Sequence, residues 1–261
     1  MALMKFDYDF EIIDAHIHPF IDQANSIAPY GAPTTLEEYT GELKKIGTDR
    51  ACGSLIVKNH ECTWDDIKAA NRETLAIADR YPGFYIPGIH VHGGYPAESR
   101  QELREMYAKG VRWIGELVPY IMGTQNLNSD GNMQIWETAS ELGMPVNMHW
   151  GTEEEIVPVA KAFPDLNIVI AHPGDVGDAK KRIDFISGLP NVCLDFSGTG
   201  LFRWNLLRYA VDKLGADRVL YGSDFPVCSP GVNLYGAMCE NLSRTEFEKF
   251  FGGNFKRLTG L

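Results

Sequence analysis

The chain has 261 residues, of which 44% are hydrophobic and 23% are charged. This is an ordinary globular composition, with enough chain to bury a full core. The formal net charge of -11 argues against nucleic acid and an anionic membrane as partners, because both carry negative charge themselves. The partner is therefore expected to be a small molecule, which can be anionic if local cations or a metal outweigh the global charge. The oligomeric state is left open, and a homo-oligomer is compatible with the sequence.

The cysteines and the absence of targeting patterns predict a cytoplasmic protein. No apolar run reaches the roughly 20 residues that a membrane-spanning helix needs, and residues 1–7 lack the pattern of a secretory signal. The five cysteines are odd in number and contain no Cys-x-x-Cys pair, which indicates reduced thiols. Only Cys228 lies near a predicted site, and a small half-buried wall residue is favoured there over a reactive thiol.

Apolar, strand-like runs alternate with amphipathic helical segments along the whole chain. Strands are predicted at residues 10–18, 51–57, 84–92, 111–117, 145–149, 167–172, 192–197 and 218–224. Helices are predicted at residues 36–46, 65–81, 98–109, 133–142, 153–163, 179–186 and 202–214, and the C-terminal part is also helical. Residues 21–35 are too long for a tight turn and are predicted to form a mobile lid over a site, with a purely connective loop as the alternative.

These eight strand–helix units predict a fold of the α/β class. Near-continuous apolar strands separated by helices indicate a parallel sheet that helices cover. Eight units in about 260 residues favour a (β/α)8 TIM barrel, which we expect to be a single domain over residues 1–261. An open doubly wound sheet is the alternative, but no Gly-x-Gly-x-x-Gly follows the first strand.

The first strand ends in two histidines that lie one residue apart, His16 and His18, just before Pro19. Alternate side chains of a strand share a face, so the two imidazoles project the same way. Two such imidazoles form half of a site for a divalent metal. Alone, this pair is a weak signal, and the positions of the other histidines and acids strengthen it.

Side chains that can do chemistry recur at the ends of the predicted strands. In a (β/α)8 barrel these ends converge on one mouth, where catalytic groups gather. The residues at the last or next-to-last strand position are His16, His18, Lys58, His92, Glu116, His149, His172 and Asp224. Scattered core histidines would not fall at the carboxyl end each time, which favours one common site. Gly222 shares the face of Asp224 and is predicted to leave space there for a ligand or metal.

Several motifs resemble the amidohydrolase superfamily and its amidohydrolase-related branch, which includes aminocarboxymuconate semialdehyde decarboxylase and several metal-dependent hydrolases. The superfamily motifs are Asp14-Ala15-His16-Ile17-His18, the histidines that close strands 5 and 6, and Gly222-Ser223-Asp224-Phe225-Pro226. The segment Leu189-Pro190-Asn191-Val192 and the tail Gly253-Asn254-Phe255-Lys256-Arg257-Leu258-Thr259-Gly260-Leu261 resemble the branch. The resemblance covers nearly the whole chain and is specific for fold and metal, but poor for substrate.

The resemblance implies a metal centre, with His16, His18, His149 and Asp224 as ligands and His172 as a residue that orients water or substrate. Strand 4 is a departure. Some members of the superfamily have a carbamylated lysine there and others a glutamate, while many members of this branch bind one metal without it, and this chain has Glu116. If Glu116 bridges, two metals fit, with His149 and His172 serving the second. If it does not, it accepts a hydrogen bond from a ligating histidine. Zinc is the expected ion, with manganese or iron(II) as alternatives, and one ion is favoured over two.

Three further residues are candidate substrate contacts. Lys58 is expected either to neutralise a substrate carboxylate or to extend into solvent. His92 is expected either to hydrogen-bond substrate or to act as a buried cap. Arg203 is a candidate anion clamp, although a solvated arginine at a helix start is the favoured interpretation.

The leading functional hypothesis is a metal-dependent hydrolase that attacks a small amide, ester or lactone with a metal-activated water. Asp224 would accept the proton of the water and His172 would stabilise the developing oxyanion. The second hypothesis is a non-oxidative decarboxylase with the same ligands. A third is a catalytically silent barrel that binds metal or senses a ligand, because fold alone does not determine function.

Overall fold

Eight short strands form one parallel sheet in which neighbours in the chain are neighbours in space. The computed structural model describes residues 8–261, so residues 1–7, where no secretory signal is predicted, lie outside the described residues. The strands are β1 Ile13–Ile17, β2 Arg50–Gly53, β3 Tyr85–Ile89, β4 Trp113–Leu117, β5 Val146–His149, β6 Ile168–Ala171, β7 Val192–Phe196 and β8 Val219–Tyr221. Their order in the sheet is their order in the chain, and each consecutive pair is parallel.

The sheet closes on itself through the segment that follows β8. The backbone N–H of His18 donates to the carbonyl of Phe225 at 2.8 Å, and the N–H of Asp224 donates to the carbonyl of His16 at 2.9 Å. A parallel bridge also joins Ile17 to Phe225. These bonds bring the first and last strands together, so the predicted single-domain (β/α)8 TIM barrel is confirmed.

Helices follow the strands and surround the barrel. Within residues 8–261 they are α1 Leu36–Lys45, α2 Trp64–Arg80, α3 Pro96–Ala108, α4 Pro119–Met122, α5 Asp130–Leu142, α6 Glu153–Ala162, α7 Val176–Ile186, α8 Leu206–Leu214, α9 Pro230–Met238, α10 Arg244–Glu248 and α11 Asn254–Thr259. Short 3-10 turns at Gln23–Asn25 and Ala216–Arg218 and a π-helical turn at Lys249–Gly253 complete the elements. None of the helices in this part of the chain is both long and apolar enough to cross a membrane.

Side-chain caps explain where the first two helices begin. The hydroxyl of Thr35 accepts a hydrogen bond from the N–H of Glu38 at 3.2 Å, and Thr63 forms a reciprocal capping box with Asp66. These bonds satisfy amide groups that a helix start leaves without a partner. Both helices agree with prediction to within one residue. By contrast, α8 begins later than predicted, because the residue before it, Asn205, has a left-handed backbone with φ of 70°.

Three strands are shorter at their carboxyl ends than predicted. Lys58, His92 and Asp224 lie five, three and three residues beyond the last residues of β2, β3 and β8, so placing them at the last or next-to-last strand position is wrong. At β2 the reason is visible, because the carbonyls of Ser54 and Leu55 bind imidazole side chains instead of neighbouring strands. The sheet ladder therefore ends before these residues.

The amino end of the barrel lumen is filled by packed side chains. One buried cluster draws on seven of the eight strands and on α11: Ile13, Ala15, Cys52, Ile86, Trp113, Val169, Cys193, Leu220, Phe255 and Leu258. Strands from all sides of a barrel meet only in its interior, so this cluster lies inside the lumen. The rings of Trp113 and Phe255 pack with centroids 5.1 Å apart. The buried polar side chains of the candidate site lie at the opposite, carboxyl end of the lumen.

Candidate metal centre

Four buried side chains converge at the carboxyl end of the lumen, from β1 and the residue after it, from β4 and from the segment after β8. The Nε2 atoms of His16 and His18 are 3.1 Å apart, and Oε2 of Glu116 lies 3.3 Å and 3.2 Å from them. Oδ1 of Asp224 lies 3.4 Å from Nε2 of His18 and 3.8 Å from Nε2 of His16. Ligand atoms about 2.1 Å from one ion and about 90–110° apart are separated by about 3.0–3.4 Å. Four of the five separations fit one shared ion.

Both imidazoles are oriented with Nε2 toward this point. Nδ1 of His16 lies 3.0 Å from Oδ2 of Asp195, and Nδ1 of His18 lies 3.3 Å from the carbonyl oxygen of Ser54. A carbonyl only accepts hydrogen bonds, so the proton of neutral His18 is on Nδ1 and its Nε2 presents a lone pair. Two lone pairs that face each other repel unless a proton or cation lies between them. The residues present therefore fit a divalent metal ion.

Glu116 also faces a second group of histidines. Its Oε1 lies 3.0 Å from Nδ1 of His149 and 3.4 Å from Nε2 of His172. These three residues could hold a metal ion in their own right, because their ligand atoms lie within 4.8 Å of one another. One carboxylate thus has one oxygen toward each histidine pair, which is the arrangement of a ligand that bridges two ions.

Buried carboxylates dominate the electrostatics of the site. Burial raises the pKa of Glu116, but the adjacent His16 and hydrogen bonds from the other histidines hold that pKa well below its usual range. Burial also raises the pKa of Asp195, and His16 again outweighs it and lowers that pKa. Burial lowers the pKa of His18, but hydrogen bonds to two carboxylates raise it to about 8. The cluster therefore requires positive charge, from protons or from a metal ion.

Two residues near the end of β7, which the sequence reasoning misses, connect the histidines. Asp195 faces Nδ1 of His16 with one oxygen, and its other oxygen accepts from the backbone N–H of Ser197 at 3.2 Å and from the hydroxyl of Ser197. Oγ of Ser197 lies 2.9 Å from Nδ1 of His172. Asp195 occupies the next-to-last position of β7, but the predicted strand runs to residue 197, so the strand-end rule does not select it.

Two candidate site residues have backbone conformations that are uncommon outside glycine. The φ angle is 63° at His172 and 61° at Asp224. Such left-handed conformations cost of order 1 kcal/mol and persist where surrounding structure imposes them. The N–H of Asp224 is held by the carbonyl of His16, and the N–H of His172 by Oδ1 of Asp195 at 3.4 Å. Hydrogen bonds with other residues of the site thus hold the backbones of His172 and Asp224 in these conformations.

Gly222 serves the site differently from the expectation. A Cβ at this position would lie 2.6 Å from Cβ of His16 and 3.1 Å from Cβ of Ser197. The space on this face is therefore filled by His16, and the prediction that it is left for a ligand is wrong. The glycine instead allows β1 and β8 to approach closely enough for His16 to enter the lumen.

A cavity of about 500 Å³ opens at the cluster and is lined by His18, Glu116, His149, His172 and Asp224 together with wall residues. The wall includes apolar Ile27, from the 21–35 segment, and half-buried Cys228. Burial raises the pKa of the Cys228 thiol to about 11, so it is a protonated wall residue. A partly apolar cavity with a few polar groups at its base is typical of small-molecule sites.

Arg182 supplies a positive charge to this wall, and the sequence reasoning misses it as well. Its guanidinium lies 4.7 Å from the ring of Trp150, and Nη1 donates to the carbonyl of His172 at 3.4 Å. A cation over the face of an aromatic ring is attracted to it, which helps to hold the guanidinium in place. Arg182 lies in the middle of α7, away from any strand end, so nothing in the sequence marks it.

The three predicted substrate contacts are engaged with loop backbone. Lys58 Nζ donates to two carbonyls of the 21–35 segment at 2.7 and 3.0 Å and lines a separate recess. Nδ1 of His92 accepts from a backbone N–H two residues further along at 2.9 Å. Arg203 donates to a carbonyl in the loop after β6. Direct contact of these residues with substrate stays a prediction.

The sequence of this chain matches one family model and is similar to a curated protein. The family model described as amidohydrolase matches residues 13–261. A curated relative, the uncharacterized protein y4mH of Sinorhizobium fredii (strain NBRC 101917 / NGR234), is 28% identical over 101 residues, which are 33% of this chain and 34% of that protein. The match thus spans about a third of the relative's length.

Several solved structures share the fold at low sequence identity. An uncharacterized TIM-barrel protein from Bordetella bronchiseptica has a TM-score of 0.72 at 20% identity, with 96% of this chain and 98% of that chain covered. A 5-carboxyvanillate decarboxylase from Sphingomonas paucimobilis has a TM-score of 0.73 at 15% identity, covering 97% and 100%. A dihydroxybenzoic acid decarboxylase from Polaromonas sp. JS666, with bound manganese and the inhibitor 2-nitroresorcinol, has a TM-score of 0.75 at 15% identity, covering 97% of each chain.

Proposed function

Because this chain belongs to the amidohydrolase family, we propose that it is a metal-dependent enzyme that removes carbon dioxide from a small carboxylated substrate without an oxidant. The observation that carries the proposal is the convergence of His16, His18, Glu116 and Asp224 at the base of a cavity, which the last three of them line. Two of the similar structures named above are decarboxylases of aromatic acids, which supports a carboxylated aromatic substrate.

We propose that His16, His18, Asp224 and Glu116 hold a divalent ion. We propose further that His149 supports this ion through its contact with the other carboxylate oxygen of Glu116, Oε1. Imidazole nitrogens and carboxylate oxygens suit zinc, manganese and iron(II) alike. The manganese in the Polaromonas structure supports manganese beside the zinc expected from sequence. When bound, such an ion stabilises negative charge on a substrate oxygen.

The remaining roles fall to side chains on the cavity wall. Arg182 would neutralise the substrate carboxylate and fix its orientation. Decarboxylation breaks the bond between the carboxyl group and the ring, and the ring carbon must then gain a proton. Asp224 is 8% exposed and lines the cavity, so it is placed to hold and deliver that proton. His172, fixed by Ser197, would orient the substrate.

Hydrolysis of a small amide, ester or lactone is the second candidate, and the two-sided contact of Glu116 favours it. One carboxylate oxygen toward each histidine pair suits two ions, and paired ions serve displacement by water. Asp224 would then accept the proton of the water, and His172 would stabilise the oxyanion. The preference for one ion over two stays a prediction.

The test combines metal analysis with product analysis. Protein purified without chelator is measured for metal per chain, then assayed with 2,6-dihydroxybenzoate and 5-carboxyvanillate for carbon dioxide release. A panel of amides, esters and lactones is assayed for uptake of labelled oxygen from water. We expect carbon dioxide release that is lost on metal removal and in Asp224→Asn, but kept in Asp65→Asn, a control on the exposed face of α2.

The other results separate the alternatives. Labelled oxygen in the product would support hydrolysis, and a metal ratio near two would support a bridging Glu116. Tight metal binding without turnover on either panel would leave the catalytically silent barrel. The cytoplasmic location and a homo-oligomeric state stay predictions, which cell fractionation and light scattering would check.

A further inference from the structure

Two consecutive carbonyls just beyond β2 bind imidazoles from opposite sides. The carbonyl oxygen of Ser54 lies 3.3 Å from Nδ1 of His18, and that of Leu55 lies 2.6 Å from Nε2 of His90. His18 directly follows β1 and His90 directly follows β3, the two strands that flank β2 in the sheet. Where the backbone hydrogen bonds of β2 end, histidine side chains that follow the two neighbouring strands therefore bind its next two carbonyls.

His90 is itself held rigidly. Its backbone N–H donates to Oδ1 of Asn71 at 2.8 Å, and Nδ2 of Asn71 donates back to the carbonyl of His90 at 3.1 Å. The same Nδ2 also donates to Oε1 of Glu102 at 3.2 Å. His90 and Asn71 are each 1% exposed. This clamp from α2 fixes the backbone of His90. Its ring contacts the carbonyl of Leu55, and because a carbonyl only accepts, the proton of neutral His90 is on Nε2.

The only hydrogen bond of the His90 ring within residues 8–261 joins it to the carbonyl of Leu55. Its Nε2 is used by Leu55, and within residues 8–261 its Nδ1 is a buried nitrogen with no hydrogen-bond partner. A buried polar atom without a partner is costly. A phenylalanine at this position would avoid that cost but could not donate to Leu55, so the bond to the backbone is the feature that distinguishes histidine here.

We propose that His90 is a positioning residue for the metal centre. It holds the backbone at Ser54 and Leu55, and this backbone holds His18 in the tautomer that directs Nε2 toward the ion. The proposal rests on the metal-dependent function proposed above. Outer partners that orient a ligating histidine affect metal affinity about 10–100-fold, and His90 acts one bond further out. We therefore expect an effect near the lower end of that range.

Three variants test the proposal through zinc affinity, measured by competition with a chromophoric chelator. His90→Phe keeps a ring but removes the donor, and we expect its zinc Kd to rise roughly tenfold. His90→Gln returns an N–H near the Nε2 position, and we expect a Kd within about twofold of the parent. Trp136→Phe is the matched control, because it also removes a buried ring N–H from a carbonyl, that of Leu127 at 2.7 Å. We expect its Kd to be unchanged, although its thermal midpoint falls.

Several results would overturn the proposal. Native zinc affinity in His90→Phe would show that the bond to Leu55 does not matter to the site. An equal loss in Trp136→Phe would show a general effect of destabilisation. Absence of zinc and manganese binding in the parent protein would refute the metal-dependent function and this proposal together, whereas the first two results refute the positioning role alone.

A measurement on the parent protein covers the case in which His90→Phe does not fold. Nitrogen NMR of the imidazoles in the metal-free protein distinguishes the two tautomers of each ring. We expect the proton of neutral His90 on Nε2. A neutral His90 with its proton on Nδ1 could not donate to Leu55, and that result overturns the proposal.

Discussion

Replacing Asp195 by asparagine tests whether its carboxylate sets the orientation of His16. The two oxygens of Asp195 face donors on every side: Nδ1 of His16 at 3.0 Å, Nδ2 of Asn147 at 2.8 Å and the N–H of Ser197 at 3.2 Å. An asparagine side chain has one acceptor oxygen and one NH2 group. In either orientation its NH2 group would face a donor, so at least one hydrogen bond is lost.

The magnitude follows from burial and charge. Asp195 is fully buried, and a hydrogen bond to a charged group contributes about 1.5–3 kcal/mol. We expect the free energy of unfolding of the metal-free Asp195→Asn variant to fall by about that amount. Loss of the partner that orients a ligating imidazole also weakens metal binding about 10–100-fold. This corresponds to about 1.4–2.7 kcal/mol in the free energy of zinc binding.

Two measurements decide the matter: urea unfolding of the metal-free protein and zinc affinity by chelator competition. Asp65→Asn is the control, because the Asp65 side chain is 89% exposed and pairs with Lys68 at the surface. Exposed pairs contribute little, so we expect changes below about 0.5 kcal/mol in the control. An Asp195→Asn variant that binds zinc with native affinity would refute the assigned role of Asp195.

Three further predictions concern the cavity wall, the 21–35 segment and the surface. Arg182→Met should raise KM for 2,6-dihydroxybenzoate about tenfold or more with a smaller change in kcat, because the charge is lost and the apolar stem is kept; an unchanged KM in steady-state assays would contradict this. Lys58→Met should speed proteolysis within residues 21–35, because two hydrogen bonds to that segment are lost, while zinc affinity stays native; cleavage at the parental rate would count against it. The hydrogen bond from Arg208 lowers the pKa of Glu246 from 4.5 to about 2. The ionised Glu246 carboxylate therefore contributes to stability in full above pH 4.5, and this contribution is lost as the pH falls toward 2. Glu246→Gln should therefore lower the free energy of unfolding by about 1–2 kcal/mol near neutral pH, after allowance for solvent screening, and by less near pH 3; urea unfolding with the same loss at both pH values would argue against the assignment.

The fold was accessible from sequence because parallel strands covered by helices are apolar on both faces. Runs such as the one before His172 therefore stand out from the amphipathic helices around them. The strand ends were less accessible, because partners far away in the chain decide where a ladder stops. Ser54 and Leu55 read as strand, yet their carbonyls bind histidines that follow β1 and β3.

Some residues of the candidate site could likewise be predicted from the sequence and others could not. Residue type and strand position were enough to select His16, Glu116 and His149, which lie at or next to the ends of their strands. Asp195 was missed because a single acid inside an apolar run carries no pattern of its own. Arg182 was missed because its place on the wall depends on how α7 packs over the barrel, which residue spacing does not encode.

The seam between the first and last strands passes through the candidate metal centre. Its backbone bonds involve the N–H of His18, the carbonyl of His16 and the N–H of Asp224, whose side chains also face the proposed ion. An ion held by these three residues would act as a cross-link between the two ends of the sheet. Local opening of the barrel at this joint and release of the ion would then be one event. This coupling predicts that the amides of His18 and Asp224 exchange hydrogen more slowly in the metal-loaded protein than in the metal-free protein.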